Sequence, residues 1–187
     1  MQRSFLPSIN NEACPNDSEL YRFVASRITS LFDKPQRSIF QGSSFEDWRN
    51  LGPHGRGKIG QRLVKVLAEN MGYLVGRSEP GIADLRIQQV ETEVKTAMQK
   101  EDMGFLINQL RPQPYIYVVN IVVRPKNINI FTVPKDIMLS LATGQHGGIH
   151  ATETFIYSAR NFDALWHDLR DYSGIEVFRA AYEVVSV

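Results

Sequence analysis

Apolar residues recur along this chain with two different periods, and the change of period predicts a mixture of helices and strands. From Lys58 to Met71 they recur every three or four positions, which is typical of an amphipathic helix, and Gly72 is placed to end it. Beyond that point, short segments with strict alternation predict strands. Strands are expected near 73–77, 82–87, 90–97, 115–123, 128–133 and 153–157, and further helices near 20–32, 102–110, 135–142 and 162–170. Residues 176–187 suit either a helix or a strand.

This order of elements predicts the fold class. A hairpin between 82–87 and 90–97 gives antiparallel neighbours, whereas a helical crossover from 90–97 to 115–123 gives a parallel pair. The chain is therefore expected to be an α/β protein with a mixed central sheet flanked by helices. Residues 1–57 are expected to form an N-terminal extension of helix and loop, and residues 58–187 one compact domain.

Composition narrows the class of protein. The 187 residues are 43% hydrophobic and 22% charged, a balance typical of a soluble globular protein. No segment approaches the roughly 18 apolar residues of a membrane span, and Met1–Asn10 lacks the apolar run of a secretory signal. A cytoplasmic protein with no membrane partner is therefore expected. Cys14 is the sole cysteine, which excludes an internal disulfide and a zinc site built on paired cysteines.

Charge is unevenly distributed, although the net charge is only +1. Residues 51–100 hold eight Lys or Arg against five Asp or Glu, whereas residues 151–187 hold three against six. A basic middle segment suits a nucleic-acid partner, but an evenly solvated surface would show the same imbalance. The charge pattern alone therefore leaves the partner open.

The hairpin predicted between Asp84 and Lys95 carries the candidate chemistry. A two-residue turn at Gln88–Gln89 pairs the two strands symmetrically about that turn. The opposed residues are Ile87 and Val90, Arg86 and Glu91, Leu85 and Thr92, and Asp84 and Glu93. Alternation then places Leu85, Ile87, Val90 and Val94 on one face and Asp84, Arg86, Glu91, Glu93 and Lys95 on the other.

The opposition of Asp84 and Glu93 predicts a cation site. Two carboxylates placed together repel one another unless a cation lies between them or one of them takes a proton. Their oxygens suit Mg²⁺, and Lys95 on the same face would lie beside it, where an ammonium can orient or deprotonate a water and neutralise a phosphate oxygen. The structural alternative is a solvated hairpin face on which Lys95 relieves the two acids and Arg86 pairs with Glu91.

The hairpin and its surroundings resemble the common core of the PD-(D/E)xK nuclease superfamily. The resemblance spans roughly residues 55–150, with elements in the order αβββαβ. The family motif is matched by Pro80-Gly81-Ile82-Ala83-Asp84 followed by Glu93-Val94-Lys95. The stretches Asn108-Gln109-Leu110-Arg111-Pro112 and Gln145-His146-Gly147-Gly148 also resemble restriction-endonuclease-like members.

The resemblance implies a metal-dependent endonuclease that hydrolyses DNA phosphodiester bonds, most similar to a type II restriction enzyme. In that family the Asp and the Glu bind Mg²⁺, for which Mn²⁺ can substitute, together with the main-chain carbonyl between Glu and Lys. Those positions are Asp84, Glu93 and Val94 here, and Lys95 would assist the water. Many relatives also carry a Glu on the first core helix. This chain has Gln61 at that position, which argues against a second metal.

Other residues are candidates for contacts with nucleic acid or substrate. A helix N-terminus can hold a DNA phosphate, and basic side chains near it add to that attraction. The basic candidates are His54, Arg56, Lys58, Arg62 and Arg111. Gln109 is a candidate for a hydrogen bond within the active site. For each of these residues the alternative is an ordinary exposed side chain.

The segment Gly52–Lys58 matches part of a phosphate-binding P-loop. Ile59 stands where a P-loop has Ser or Thr, however, and no predicted strand precedes the segment. ATP binding is therefore not expected, and a flexible basic lead into a helix is the better interpretation.

Three classes of function remain open. One is an endonuclease acting on double-stranded DNA, expected to be a homodimer because cutting both strands takes two active sites. Another is a structure-specific or repair nuclease acting on DNA or RNA. The last is a degenerate member of the fold that binds nucleic acid or a protein partner without cutting. The intact Asp84, Glu93 and Lys95 favour the first two, and Gln61 favours the last.

Overall fold

The computed structural model describes residues 38–145 and 154–183, which belong to a compact unit that begins at Ser38. The helices, numbered within those residues, are α1 (Glu46–Asn50), α2 (Pro53–Asn70), α3 (Lys135–Ser140), α4 (Phe162–Leu169) and α5 (Ile175–Glu183). The strands are β1 (Val75–Arg77), β2 (Leu85–Ile87), β3 (Val90–Met98), β4 (Phe105–Leu110), β5 (Tyr117–Arg124), β6 (Asn127–Pro134), β7 (Gly144–Gln145) and β8 (Phe155–Ala159). The helix predicted near 20–32 lies outside the described residues.

The strands form two sheets. The central sheet has the order β1-β2-β3-β5-β6, in which β3 and β5 are parallel and the other neighbours are antiparallel. The smaller sheet, β4-β8-β7, is antiparallel. The predicted class, a mixed α/β sheet flanked by helices, is confirmed. Among the helices of the described ranges, none combines the length and the apolarity that a membrane crossing requires.

One predicted element is wrong, because residues 102–110 contain strand β4 rather than a helix. Phe105 and Ile107 are buried, and Leu106 between them is only partly covered. The connection from β3 to its parallel neighbour β5 therefore runs through a strand of the smaller sheet, and the αβββαβ order is not kept. Apolar residues at 105–107 and 110 fit either period, so the local pattern could not separate the two structures.

Helix α2 begins at Pro53, earlier than the predicted Lys58, because proline suits the first helical position and the segment before it is extended at Gly52. The predicted division of the chain after residue 57 thus falls within a helix. At the other end Gly72 takes a φ of +83°. Its amide bonds to the carbonyl of Glu69 and the following amide to that of Ala68, both at 3.0 Å. Gly72 therefore ends this helix as predicted, in a Schellman motif.

The buried side of α2 differs from the predicted one. The spacing of apolar residues in the sequence favours a buried stripe centred on Ile59, Leu63 and Val66, whereas the buried residues of this helix are Gly60, Val64 and Ala68. Ile59 and Val66 are 37% and 40% exposed. Small residues allow the helix backbone to approach the sheet closely, so the helix is rotated away from its most hydrophobic side.

The central sheet has an apolar core on each face. One core packs α2 and α5 against the sheet and includes Val64, Val94, Val119, Ile121 and Phe178. The other packs β4, β8, α3 and α4 against it and includes Ala97, Phe105, Val118, Met138 and Leu165. Strand β5 is buried on both faces from Val118 to Val123, as predicted. Because side chains alternate along β3, residues 93 and 95 share the second face with residue 97.

The register predicted for the hairpin is confirmed over the three pairs that β2 and β3 form, whereas Asp84 precedes β2 and lies outside the ladder. The observed pairs are Leu85 with Thr92, Arg86 with Glu91, and Ile87 with Val90. The two-residue turn has φ values of +48° at Gln88 and +67° at Gln89. Two consecutive left-handed residues are the signature of the type I′ turn, whose twist matches that of the flanking strands.

Replacing Gln88-Gln89 with Asn-Gly is expected to stabilise the protein. Non-glycine residues in the left-handed region cost roughly 1 kcal/mol each, and Asn-Gly is the preferred type I′ pair. The free energy of unfolding in urea should rise by about 1 kcal/mol. The matched control, Ala-Ala at the same positions, should be no more stable than the parent, and a stabilised control would contradict this explanation.

Candidate active site

Strand β3 extends beyond its neighbour β2 and leaves a free edge. Its pairing with β2 ends at Thr92, whereas its pairing with β5 continues to Met98. The N–H and C=O of one residue in a strand point to the same side. Because the Val94 amide donates to Asp84, the main-chain groups of Val94, Thr96 and Met98 point away from β5. Within the described ranges no strand pairs with that edge.

A cleft of about 850 Å³ opens along this edge. Its walls come from α1 and the start of α2 on one side and from β4 and the residues after it on the other. Six of its lining residues are Lys or Arg: Arg49, Arg56, Lys58, Lys95, Lys100 and Arg111. Among the described residues that line the cleft, two carboxylates face them, those of Asp84 and Glu93. The cleft is therefore positively charged over most of its wall and negatively charged at one place.

Asp84 lies just before β2 and is held by two hydrogen bonds. Its Oδ2 accepts the Val94 amide at 2.8 Å, and its Oδ1 accepts the Gln61 side-chain amide at 2.6 Å. The first bond fixes the carboxylate against the main chain between Glu93 and Lys95. Gln61 is therefore not on the exposed side of α2 but directly contacts the predicted site.

Glu93 and Lys95 form an ion pair beside Asp84. Lys95 Nζ donates to Glu93 Oε1 at 2.6 Å, and the two side chains are only 15% and 17% exposed. Burial raises the pKa of Glu93; Lys95 opposes that shift, and Asp84 adds to it. An additional positive charge at this place would offset the cost of holding both carboxylates ionised.

The donors around Asp84 fit a hard divalent cation. Among the described residues, no group of three or more His, Cys, Asp or Glu side chains is gathered where it could hold a metal. The oxygens available are those of two carboxylates and the Val94 carbonyl, which points to the same side as its amide. Mg²⁺ prefers oxygen ligands and commonly keeps several waters, so one or two carboxylates suffice. The residues present therefore fit a single Mg²⁺ or Mn²⁺ with water in the remaining positions.

The basic wall includes two guanidinium groups that affect each other. Burial and the positive charge of Arg49 lower the pKa of Arg56. Arg49 has only a 3.9 Å contact with Glu101, and its buried Nε has no hydrogen-bond partner within the described residues. Like charges held this close are relieved by a bound anion, which suits a phosphate backbone better than a neutral ligand.

The structure brings most of the predicted residues together. Gln61, Asp84, Glu93, Val94, Lys95, His54, Arg56, Lys58, Gln109 and Arg111 all line the cleft. Arg62 is exposed on α2 and is not among the lining residues. Gln109 lies on strand β4 rather than on the predicted helix 102–110, and it makes no hydrogen bond to Asp84, Glu93 or Lys95 within the described chain.

Five polar residues that line the cleft were not among the candidates from the sequence: Arg49, Thr96, Gln99, Lys100 and Asn108. Lys100 lies two residues after the end of β3, so extending the strand from the motif would have found it. Asn108 adjoins the candidate Gln109. Arg49 lies on α1, in a segment expected to be loop, and its sequence carries no signal of its position.

Comparisons with known proteins give little further information. No family model matches this chain. No curated protein matches it. Among solved structures it is similar to that of a bacterial homing endonuclease, with 14% identity and a TM-score of 0.41, over 73% of this chain and 99% of that chain. A similarity at this level does not establish a shared activity.

Proposed function

We propose that this protein is a metal-dependent endonuclease of the PD-(D/E)xK type that hydrolyses phosphodiester bonds in double-stranded DNA. The observation that carries the proposal is the Asp84, Glu93 and Lys95 cluster in a cleft that six Lys or Arg residues line. A cluster of carboxylates suits phosphoryl chemistry when the positively charged side chains around it attract a polyanion to the cleft. Strand alternation in the hairpin predicts that the three side chains share one face, and the observed pairs Leu85–Thr92, Arg86–Glu91 and Ile87–Val90 support that prediction.

Each residue has a distinct part in the proposed hydrolysis. Asp84, Glu93 and the Val94 carbonyl would hold Mg²⁺, or Mn²⁺ in its place. When bound, the ion polarises a phosphoryl oxygen and lowers the pKa of a water. Lys95 neutralises charge on the phosphate and hydrogen-bonds the attacking water. The water gives a proton to solvent as its oxygen bonds to phosphorus, the bond to the 3′ oxygen breaks, and that oxygen takes a proton from solvent, which leaves 5′-phosphate and 3′-hydroxyl ends.

The remaining cations of the cleft position the substrate. Arg56 and Lys58 near the start of α2 and Arg111 after β4 would contact phosphates on either side of the scissile bond. Such contacts are independent of base sequence and weaken as salt rises. Cutting both strands takes two clefts, so we expect the active form to be a homodimer.

Incubation with supercoiled plasmid tests this function. We expect cutting with Mg²⁺ or Mn²⁺ and none with EDTA, and linear product without a long-lived nicked intermediate if the enzyme acts as a dimer. Parallel reactions with single-stranded RNA and branched DNA separate the alternative substrates. Binding to all of these without cutting any of them would identify the protein as a degenerate member of the fold and contradict the proposal.

Gln61 provides a prediction that does not depend on cleavage. A Gln61→Glu variant would place a third carboxylate against Asp84 Oδ1, where an amide now donates. Without metal the repulsion should lower the midpoint of thermal unfolding, and Mg²⁺ or Mn²⁺ should raise it more than in the parent, because ligand binding to the folded state stabilises it. Thermal unfolding with EDTA and with metal, together with calorimetric titration, measures both effects.

The control for this prediction is Gln61→Ala, which removes the amide without adding charge. Its cleavage rate should fall without being lost, because Asp84, Glu93 and Lys95 remain. Equal metal affinity in the parent and Gln61→Glu, together with full activity in Gln61→Ala, would place Gln61 outside the site.

A further inference from the structure

Strand β4 forms one wall of the cleft and contains an irregularity at that place. Its pairing with β8 runs from Ile107 opposite Tyr157 to Leu110 opposite Phe155, so β4 has one more residue than its partner over this interval. Within it Gln109 has a φ of +58°, a conformation that is unfavourable for a residue other than glycine. This is a β-bulge, a feature that re-aims side chains next to functional sites.

The bulge turns two consecutive amide side chains toward the cleft. In a regular strand adjacent residues point to opposite faces. Here Ile107 and Leu110 are both buried, whereas Asn108 and Gln109 between them are both exposed and both line the cleft. Neither amide has a hydrogen-bond partner within the described residues, so packing does not account for their position.

The chemistry of these two residues differs from that of the rest of the wall. Guanidinium and ammonium groups only donate hydrogen bonds, and they hold phosphates whatever the base sequence. A carboxamide donates and accepts at once, which matches a base edge, and Asn or Gln pairs best with N6 and N7 of adenine in the major groove. Strand β4 is also an edge strand of the smaller sheet, and the major groove is wide enough to admit a β-ribbon.

We propose that Asn108 and Gln109 are the specificity-determining residues of this cleft and contact base edges in the major groove of duplex DNA, with a preference for adenine at the positions they face. This inference rests on the proposed nuclease function. It assigns Gln109 to base recognition rather than to the chemistry at Asp84. The basic residues hold the duplex, and the two amides select where along the duplex it is held.

Selection from a pool of randomised DNA duplexes, read by sequencing the bound fraction, tests the proposal. The parent for this experiment is Asp84→Asn, so that binding is measured without cutting. Asn108→Ala and Gln109→Gly are added separately, the latter because glycine keeps the left-handed backbone of the bulge. Each substitution should lower the base preference about tenfold at one or two adjacent positions of the selected DNA sequence. The preference at the other positions should not change. Gln41→Ala, which removes an exposed amide outside the cleft, should leave the preference intact.

One set of results would overturn base reading by the two amides, and another would overturn the nuclease proposal as well. Identical selected sequences in all variants, or a uniform loss of affinity across the pool like that expected for Lys58→Ala, would show that the amides do not read bases. The nuclease proposal would survive that result. Failure of Asp84→Asn to bind any duplex, together with no plasmid cutting by the parent protein, would overturn the nuclease proposal and the base-reading inference with it.

Discussion

Asp84→Asn is expected to abolish DNA cleavage while leaving the fold and DNA binding intact. Under the proposed mechanism this carboxylate is a metal ligand, one of two carboxylates among the described residues of the cleft, and losing it would remove the electrostatic stabilisation of the transition state that the metal supplies. Loss of a single such group typically lowers the rate by about 10²–10³-fold or more. Removing a negative charge from a basic cleft should also leave affinity for duplex DNA unchanged or tighter.

The geometry explains why this variant should still fold. The asparagine oxygen can accept the Val94 amide in place of Asp84 Oδ2, and Gln61 can rotate its amide so that its oxygen accepts from the new NH₂ group. Plasmid cleavage, duplex affinity and thermal unfolding should be measured together. Glu79→Gln is the matched control, since it removes a hairpin-proximal acid that does not line the cleft. Cutting by Asp84→Asn at the parent rate would show that the assignment is wrong.

Gly60→Ala is expected to destabilise the protein by about 2–3 kcal/mol, although glycine to alanine inside a helix ordinarily stabilises. A Cβ at residue 60 would lie 2.1 Å from Thr96 Oγ1 and 3.1 Å from Ile121 Cδ1. The β-branched threonine has few alternative rotamers, so α2 itself must move away from the sheet. Urea unfolding measures the change in free energy.

Two companion variants separate close packing from helix propensity. Gly57→Ala lies in the same helix with nothing within 4 Å of its new Cβ, so it should raise stability by about 0.5–1 kcal/mol. Adding Thr96→Ala to Gly60→Ala removes the main clash, and most of the lost stability should return. The Thr96 hydroxyl is buried without a partner in the described chain, so its own removal should cost little. Equal stability of Gly60→Ala and Gly57→Ala would show that a Cβ at residue 60 does not clash with Thr96 and Ile121.

The hairpin could be predicted in full because its information is local. Alternation assigns each residue of β2 and β3 to a face, and a two-residue turn leaves one register that satisfies both strands. The pair Leu85 with Thr92 and the left-handed pair Gln88–Gln89 follow from those two facts. The proximity of Asp84, Glu93 and Lys95 was predictable for the same reason.

The packing of α2 and the structure of β4 depend on contacts distant in sequence. The most hydrophobic side of α2 was expected to be buried, but Thr96 and Ile121 leave room only for Gly60 there, so small residues decide the rotation. Phe105 and Ile107 form a strand because β8, some fifty residues later, supplies a partner. Neither constraint appears in a window of ten or twenty residues. Arg49 was missed for the same reason.

The edge of β3 beyond β2, unpaired within the described residues, has a consequence for how copies of this protein behave toward one another. An unpaired strand edge is a template on which another chain can add a strand, the first step of aggregation. Here the edge from Val94 to Met98 lies among cations, and a second copy would bring an equally positive surface to it. The charges assigned to phosphate binding therefore also oppose the addition of a strand from a second copy at this edge. That protection weakens as salt screens it, so colloidal stability and DNA affinity should decline together with rising ionic strength.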